Sequence, residues 1–356
     1  MTKVAHFISA SGLYGAERWV LGLLNNLKKI DAVLICSNHD SPSLLKEAKK
    51  LGIATKLLKV RGNYSFLDFI SKLAKLLKEE KVDVLHTHGY KSDILGYFAA
   101  RKAGIKIIST LHGWSQNAGL KVRLYESLDR IFLRYFDLIV PLSDGLRKSL
   151  RYVRKDKIKI INNFVDLSSI PEPEKGDPKL ITFIGQLIER KRVQDLIISL
   201  NYISDKNVKL QIIGDGPKKK ELMDLTKKLN LQDKITFYGF RKDRLQLLNK
   251  SGIFVLPSLL EGIPRAMMEA MAMEKIVIGT DISGIRELIK HKEKGLLVPT
   301  KNPKKLAEAI EWVLDHQNET EKIRKNAKIL IKKEFSAERA AKEYEELYIK
   351  RLSPCK

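Results

Sequence analysis

Cysteine is nearly missing from this chain: its 356 residues include two, Cys36 and Cys355. Far apart and without metal spacing, they form no disulfide framework and no thiolate site, which suits a reducing cytosol. Long hydrophobic runs are missing too. No stretch approaches the ~20 apolar residues that cross a bilayer. Residues 1–9 are too short and polar for a signal peptide and read as a first strand. There is no solenoid-period repeat and no low-complexity tract. Negative charge is in deficit: Lys+Arg number 66 against Asp+Glu 42, a net +24. These absences exclude secreted disulfide scaffolds, membrane-spanning proteins and repeat arrays. They leave a cytoplasmic globular protein of two-domain length, with 44% of its residues hydrophobic.

The positive excess is spread over both halves, with one dense stretch at 147–159. Three readings compete: solubility, an anionic membrane surface, and nucleic acid. The even sprinkling of lysine favours the first, and peripheral association with the inner membrane face comes second. No recognised module or aromatic platform supports nucleic acid.

Short apolar strands alternate with amphipathic helical patterns. Strands are expected at 4–8, 32–36, 84–86, 105–110, 138–140 and 158–161. A second set is expected at 180–184, 209–213, 235–238, 253–256, 276–279 and 295–298. That alternation implies an α/β fold of two doubly wound, parallel-sheet, Rossmann-like domains. Residues 168–178, rich in proline and charge, read as the linker. The expected domains are 1–167 and 168–335, with a cleft between them. A terminal helix is expected over 336–352, with Ala340, Ala341, Tyr344, Leu347 and Tyr348 as its apolar face.

The run richest in chemistry begins Pro257-Ser258-Leu259-Leu260-Glu261-Gly262-Ile263-Pro264-Arg265 and reaches Glu269 in the next helix. A strand enters a Gly/Pro turn, and a helix starts with Pro264 suited to its first position. Free N–H groups and the helix dipole make an anion site there, with one carboxylate on each side. Taken alone, two glutamates are also compatible with a buried strand-to-helix corner. Other candidates are the glycines Gly12 and Gly15 after the first strand, and His86 and His88 on one strand face with His112 after the next strand. A zinc site from those three histidines is conceivable, although no carboxylate or cysteine at metal spacing completes it.

The run 257–299 resembles the signature region of retaining glycosyltransferases of the two-Rossmann GT-B architecture, specifically family four. There the pattern reads P-S-x-x-E-G-x-P-x-x-x-x-E-A-M-A, then T-D-x-x-G-x-x-E-L-I, then G-L-L-V-P. Order and spacing hold over about forty residues, through Thr280-Asp281, Gly284, Glu287-Leu288-Ile289 and Gly295 to Pro299. The resemblance implies transfer from a nucleotide-diphosphate sugar, most often UDP-linked, to a hydroxyl of a glycan or lipid-linked acceptor in cell-envelope biosynthesis. It implies catalytic roles for Glu261, Lys191 and His112. It implies donor contacts from Gly15, Gln186, Arg192, Phe240, Ile263, Pro264, Arg265 and Glu269, with Glu269 on the ribose. It also implies that the terminal helix packs back on the first domain.

The chain departs from the family pattern in four places. Tyr14 precedes Gly15 where glycine is usual, and Phe164 replaces a glycine in Asn162-Asn163-Phe164-Val165-Asp166. In Gly185-Gln186-Leu187-Ile188-Glu189-Arg190-Lys191-Arg192, Gln186 stands for the phosphate-binding arginine and Arg192 for a glycine. Arg190 or Arg192 then becomes the candidate for the missing cation. No Asp-x-Asp pair occurs, which agrees with a site that needs no metal and no cofactor beyond the sugar nucleotide. Two alternatives stand beside this reading: a sugar-nucleotide epimerase of the same fold, and a non-catalytic basic protein that binds membrane or nucleic acid.

Overall fold

A computed structural model of the chain describes residues 1–9, 12, 15–40, 42–60, 62, 65–114 and 120–352. Tyr14 and Cys355 lie outside the described residues. The chain divides into two compact units, Met1–Phe164 with Ala337–Lys356, and Val165–Ser336.

The first unit runs β1 (Lys3–Ile8), α1 (Gly15–Asn26), β2 (Asp31–Ser37), α2 (Pro42–Lys50), β3 (Thr55–Leu58), α3 (Phe66–Glu79), β4 (Val84–His88), α4 (Tyr90–Ala103), β5 (Lys106–Leu111), α5 (Leu120–Leu133), β6 (Leu138–Pro141) and α6 (Asp144–Lys148). Its six strands pair in parallel in the order β3-β2-β1-β4-β5-β6. Every residue of β4 is buried, as are most of β1 and β5, which is what a parallel sheet covered on both faces requires. Ser65 caps α3 by accepting from the Asp68 amide, and Gly104 ends α4 in a left-handed conformation. Strand order reverses between β1 and β4. The carboxyl ends of those two strands therefore flank the crevice where such sheets bind ligands.

The structure differs from expectation at two places in this unit. Residues 158–161 form no strand; Ile158 makes one isolated bridge to Ile139. Lysine at every second place in Lys157-Ile158-Lys159-Ile160 gives a strand-like alternation, but the segment only grazes the edge strand β6. β3 was not foreseen because it is a four-residue edge strand with Lys56 and Leu57 exposed.

The second unit runs β7 (Asp177–Ile184), α7 (Val193–Ser199), β8 (Lys209–Ile213), α8 (Lys219–Lys228), β9 (Ile235–Gly239), α9 (Arg244–Asn249), β10 (Ser251–Leu256), α10 (Arg265–Ala272), β11 (Ile276–Thr280), α11 (Ser283–Arg286), β12 (Leu296–Val298), α12 (Pro303–Asp315) and α13 (Gln317–Glu334). Its parallel order is β12-β11-β10-β7-β8-β9. Here the order reverses between β7 and β10, so the loops that follow these two strands are the ones at the switch point.

Residues 168–178 are not a free linker. Leu167–Ser169 is a 3-10 turn, Asp177 already belongs to β7, and the Lys275 ammonium donates to the carbonyls of Glu174 (2.8 Å) and Asn249 (2.6 Å). Lys275 is buried, and those carbonyls replace the water it has lost.

The chain then returns to the first unit through α14 (Ala337–Leu347) and a π-type turn, Tyr348–Leu352. Ala340, Ala341, Tyr344, Leu347 and Tyr348 are all buried in the core of that unit. Among the described residues, no helix is long and apolar enough to cross a membrane.

Candidate functional site

In the second unit the loops after β7 and β10 are stitched together. The Leu259 amide donates to the Arg190 carbonyl (2.8 Å), and the Arg190 guanidinium donates to the Leu260 carbonyl (3.1 Å). Lys191 ends a short 3-10 turn, Glu189–Lys191, and its ammonium lies 2.5 Å from Glu261 Oε1. A neighbouring backbone fixes the Glu261 turn. A Cβ on Gly284, in α11, would lie 2.0 Å from the Gly262 carbonyl and 2.3 Å from that of Glu261. The Gly214 turn presses the other loop in the same way: a Cβ there would lie 1.9 Å from the Gly185 carbonyl, at φ +143°. The lysine and the entrance to α10 are thus parts of one surface.

Helix α10 starts at Arg265. Pro264 is its extended cap residue, one position before the first helical position expected for it. Pro264 offers no side-chain hydrogen bond to cap this helix, and Ile263 and Pro264 are buried at its start. Two buried donors at this entrance, Ser258 Oγ and Arg265 Nη1, have no hydrogen-bond partner among the described residues. Buried donors without partners are uncommon, and together with the open helix end they leave a concentrated demand for an anionic or acceptor-rich ligand.

Glu269 lies in the second turn, buried, with its carboxylate between two guanidiniums. Arg244 donates to both oxygens (2.5 and 2.8 Å), and Arg265 Nε donates to Oε1 (3.0 Å). Burial alone would raise its pKa. The charge and bonds of Arg244, joined by Arg265, outweigh burial and hold the carboxyl below its usual range. Of roughly four lone-pair sites on a carboxylate three are occupied, which leaves room for about one further hydroxyl. Arg244 was not foreseen. It comes from α9, where Arg241-Lys242-Asp243-Arg244 looks like any solvated charge run.

The other expected donor contacts of this unit stand in different surroundings. Gln186 is exposed at the end of β7, and Phe240 is exposed after β9. Arg192 turns away from Glu261: its guanidinium pairs with Asp195 (2.8 and 3.0 Å) and Glu189 (3.2 Å). Its backbone is left-handed, φ +50° and ψ +37°, which explains why a glycine suits this position.

In the first unit, four imidazoles meet at the β1/β4 switch point. The ring nitrogens link His112 to His88 (3.3 Å) and His88 to His6 (3.1 Å). The chain of contacts continues through the Tyr348 hydroxyl to His86 (2.7 Å), then to Thr110 (2.8 Å) and Tyr344 (2.8 Å). Register places His6 opposite His86, and the alternation that puts His86 and His88 on one face also brings in His6. The metal-capable trio is therefore His6, His86 and His88, within 4.8 Å of one another, rather than the trio with His112. All six of its ring nitrogens have protein partners, so the cluster is satisfied as a hydrogen-bonded network. Burial lowers His6 to about 3 and His112 to about 4. Burial, then neighbouring imidazoles, holds His86 and His88 well below their usual value. Each ring is therefore neutral and can donate from one nitrogen while accepting at the other. Beside the network a cavity of about 320 Å³ is lined by Ser9, Asp40, His88, Tyr90, Lys91 and Ser92. Gly15 opens α1, exposed, with nothing among the described residues within 4 Å of an added Cβ.

Residues 166–330 match the family model described as "Glycosyl transferases group 1", and residues 14–169 match "Glycosyltransferase Family 4". An Escherichia coli UDP-Gal:alpha-D-GlcNAc-diphosphoundecaprenol alpha-1,3-galactosyltransferase is 31% identical over 329 residues, 83% of this chain and 84% of that protein. The chain belongs to the group 1 glycosyltransferases. A second relative of this glycosyltransferase is the Bacillus anthracis N-acetyl-alpha-D-glucosaminyl L-malate synthase, 28% identical over 303 residues, covering 79% of this chain and 78% of that enzyme. Among solved structures, Anabaena Alr3699/HepE in complex with UDP superposes with a TM-score of 0.85 at 19% identity, over 97% of this chain and 99% of that one. The fold is thus GT-B, α/β with two six-stranded parallel sheets, and the enzyme is a glycosyltransferase. That kinship favours transfer over the epimerase and binding-only alternatives.

Proposed function

We propose that this glycosyltransferase moves a sugar from a UDP-sugar to a hydroxyl of a lipid-linked glycan at the cytoplasmic membrane face, with retention of anomeric configuration and without a metal ion. The observation that carries the donor half is the surface shared by Lys191, Glu261 and the uncapped start of α10, with Ser258 Oγ and Arg265 Nη1 still unpartnered there. The difficult step is departure of the nucleoside diphosphate, whose oxygens gain charge as the anomeric C–O bond breaks. The Lys191 ammonium and the amides of Arg265 and Ala266 would receive that charge, the role a metal ion has elsewhere. Glu261 would hold Lys191 in place and orient the sugar. Glu269, pinned by two arginines, would accept a single ribose hydroxyl. The acceptor hydroxyl attacks the face the diphosphate leaves, and its proton passes to the departing oxygen. His112, neutral and oriented by His88, would hydrogen-bond a sugar hydroxyl.

Support for the donor comes from a structural neighbour solved with UDP-glucose. Support for a lipid-diphosphate acceptor comes from the Escherichia coli relative and from a Campylobacter jejuni N-acetyl-D-galactosaminyltransferase whose named acceptor is a PP-undecaprenol glycan, 28% identical over 92% of this chain. The test is a thermal-shift panel of UDP-, GDP- and ADP-sugars with and without EDTA. UDP-sugars should stabilise the protein and EDTA should change nothing. Silence toward every nucleotide sugar overturns the donor reading, and loss of the shift in EDTA overturns metal independence. An NMR assignment of the product's anomeric configuration tests retention.

A further inference from the structure

We infer that the outward face of α5 docks this glycosyltransferase onto an anionic lipid surface. The inference rests on the lipid-linked acceptor proposed above and names the surface that would meet the membrane carrying it.

Helix α5 turns a stripe of apolar side chains outward and its acids inward. Its two acids, Glu126 and Asp129, are buried, and Asp129 Oδ1 has no partner among the described residues. Leu133 is buried and Phe132 half-buried, but other apolar residues of the helix point to solvent: Leu124 is 62% exposed, Leu128 37% and Ile131 47%, followed by Tyr135 at 61% just past the helix end. Spacings of four, three and four place them in one stripe. Arg123, Arg130 and Arg134 form a parallel exposed stripe beside it. Arg130 is held over the Trp114 ring at 4.6 Å, and Arg134 over the Tyr152 ring at 5.5 Å.

The patch continues across ring contacts. Tyr135 meets Tyr97 (6.1 Å), Tyr97 meets Phe98 (5.3 Å) and Phe98 meets Phe66 (5.6 Å), beside exposed Leu67 at the start of α3. There it reaches a mostly apolar cavity of about 420 Å³, lined by Phe66, Tyr90, Ile94 and Tyr125 with Lys91.

Apolar residues, aromatic rings and arginines without an exposed acid on the helix are the composition that binds the headgroup boundary of an anionic leaflet. Charge decides against a second copy of the chain. A two-fold interface through this face would set Arg123, Arg130 and Arg134 against their own copies. An anionic surface matches both stripes at once.

The test is sedimentation with phosphatidylglycerol/phosphatidylcholine vesicles and with phosphatidylcholine alone. The wild type is compared with Leu128→Glu/Ile131→Glu and with Arg130→Glu, each checked for folding by circular dichroism. These side chains are exposed, so the fold should hold. The wild type should bind the anionic vesicles in a salt-sensitive way and the neutral ones weakly. The double variant should lose roughly tenfold or more in partitioning, with its nucleotide-sugar thermal shift unchanged. Failure of the wild type to bind anionic vesicles, equal binding to both vesicle types, or a dimer that the variants dissolve would each overturn the proposal. A nucleotide-sugar response without vesicle binding overturns the docking face alone. Vesicle binding without any nucleotide-sugar response upholds the face and overturns the donor reading.

Discussion

At the switch point of the first sheet four imidazoles stand neutral and pass one hydrogen-bond chain between them. At that of the second, Lys191 pairs with Glu261, and Glu269 with Arg244 and Arg265. One topology thus carries two electrostatic solutions. The difference follows the proposed chemistry. A sugar hydroxyl is recognised by the direction of a hydrogen bond, which a fixed neutral ring supplies. A departing diphosphate is stabilised by charge, and charge that is already paired and buried does not have to reorganise when the reaction demands it. Breaking each solution in turn should therefore have different consequences.

The largest expected effect lies in the buried charges. Arg244→Ala strips a bidentate partner from the carboxylate of Glu269 inside the second unit. Removing one member of a buried pair costs about 3–5 kcal/mol. Urea denaturation should show that loss, and Arg244→Met/Glu269→Met should recover part of it, since Arg265 is then the one guanidinium of the trio left without its carboxylate. If the single variant unfolds like the wild type, Glu269 is solvated in solution and the contrast with the first sheet collapses. For the same reason Glu269→Ala reports folding as well as ribose binding.

Lys191→Ala comes next and acts on rate. Loss of one preorganised donor to a developing oxyanion typically costs about 2.7–4 kcal/mol, or 10²–10³ in kcat. Turnover of UDP-sugar with acceptor, compared at equal folding stability, measures it. A rate within about threefold of wild type would remove the ammonium from the proposed mechanism.

What the sequence made legible explains why these tests fall where they do. Glu261 and Glu269 could be located because strand, Gly/Pro turn and helix start follow one another locally, and a helix entrance has the same chemistry wherever it occurs; Lys191 was marked only by the resemblance of Gly185–Arg192 to the family pattern. Both sheets could be read from apolar runs buried on two faces. Arg244 could not be found, because its partner sits 25 residues away on another element, and one more arginine in a basic chain carries no signal. His6 was within reach: it alternates in β1 as His86 and His88 do in β4, but register is a tertiary fact. β3 escaped because an edge strand has no need to be apolar, and 158–161 misled because lysine-isoleucine alternation imitates one. The left-handed backbone of Arg192 was hidden, since arginine gives no hint of a positive φ.

The imidazole network predicts a pH effect confined to the first unit. Folded His6 stays neutral down to about 3, while its unfolded ring takes a proton below 6.5. The unfolded state therefore binds more protons in this window. Stability from this ring is complete above pH 6.5 and is lost as pH falls toward 3, by about 1.4 kcal/mol per pH unit. His112, lowered to about 4, adds to the slope in the same direction. Donor affinity measured by calorimetry should stay flat between about pH 7 and pH 5.5, because Glu269 is held ionised below that range. A denaturation midpoint that ignores this interval, or a donor affinity that tracks it, would show that neutral and charged sites are not divided as described.

The smallest effects separate two neighbouring arginines and settle what replaces the cation missing at Gln186. Arg190 donates to the Leu260 carbonyl, one residue from Glu261, whereas Arg192 is bound to Asp195 and Glu189. Arg190→Ala should weaken UDP-sugar binding by about 1.5 kcal/mol, roughly tenfold in Kd, through loss of one charged hydrogen bond to the diphosphate. Arg192→Gly should leave Kd within about twofold. It loses the pairing with Asp195 but relieves a left-handed backbone that costs an L-residue about 1–2 kcal/mol. Its stability should then remain within about 1 kcal/mol of wild type, a difference a urea titration resolves. Reversal of the two, with Arg192→Gly weakening the donor and Arg190→Ala silent, would mean that the Asp195 pair opens on binding and that Arg192 swings toward the diphosphate.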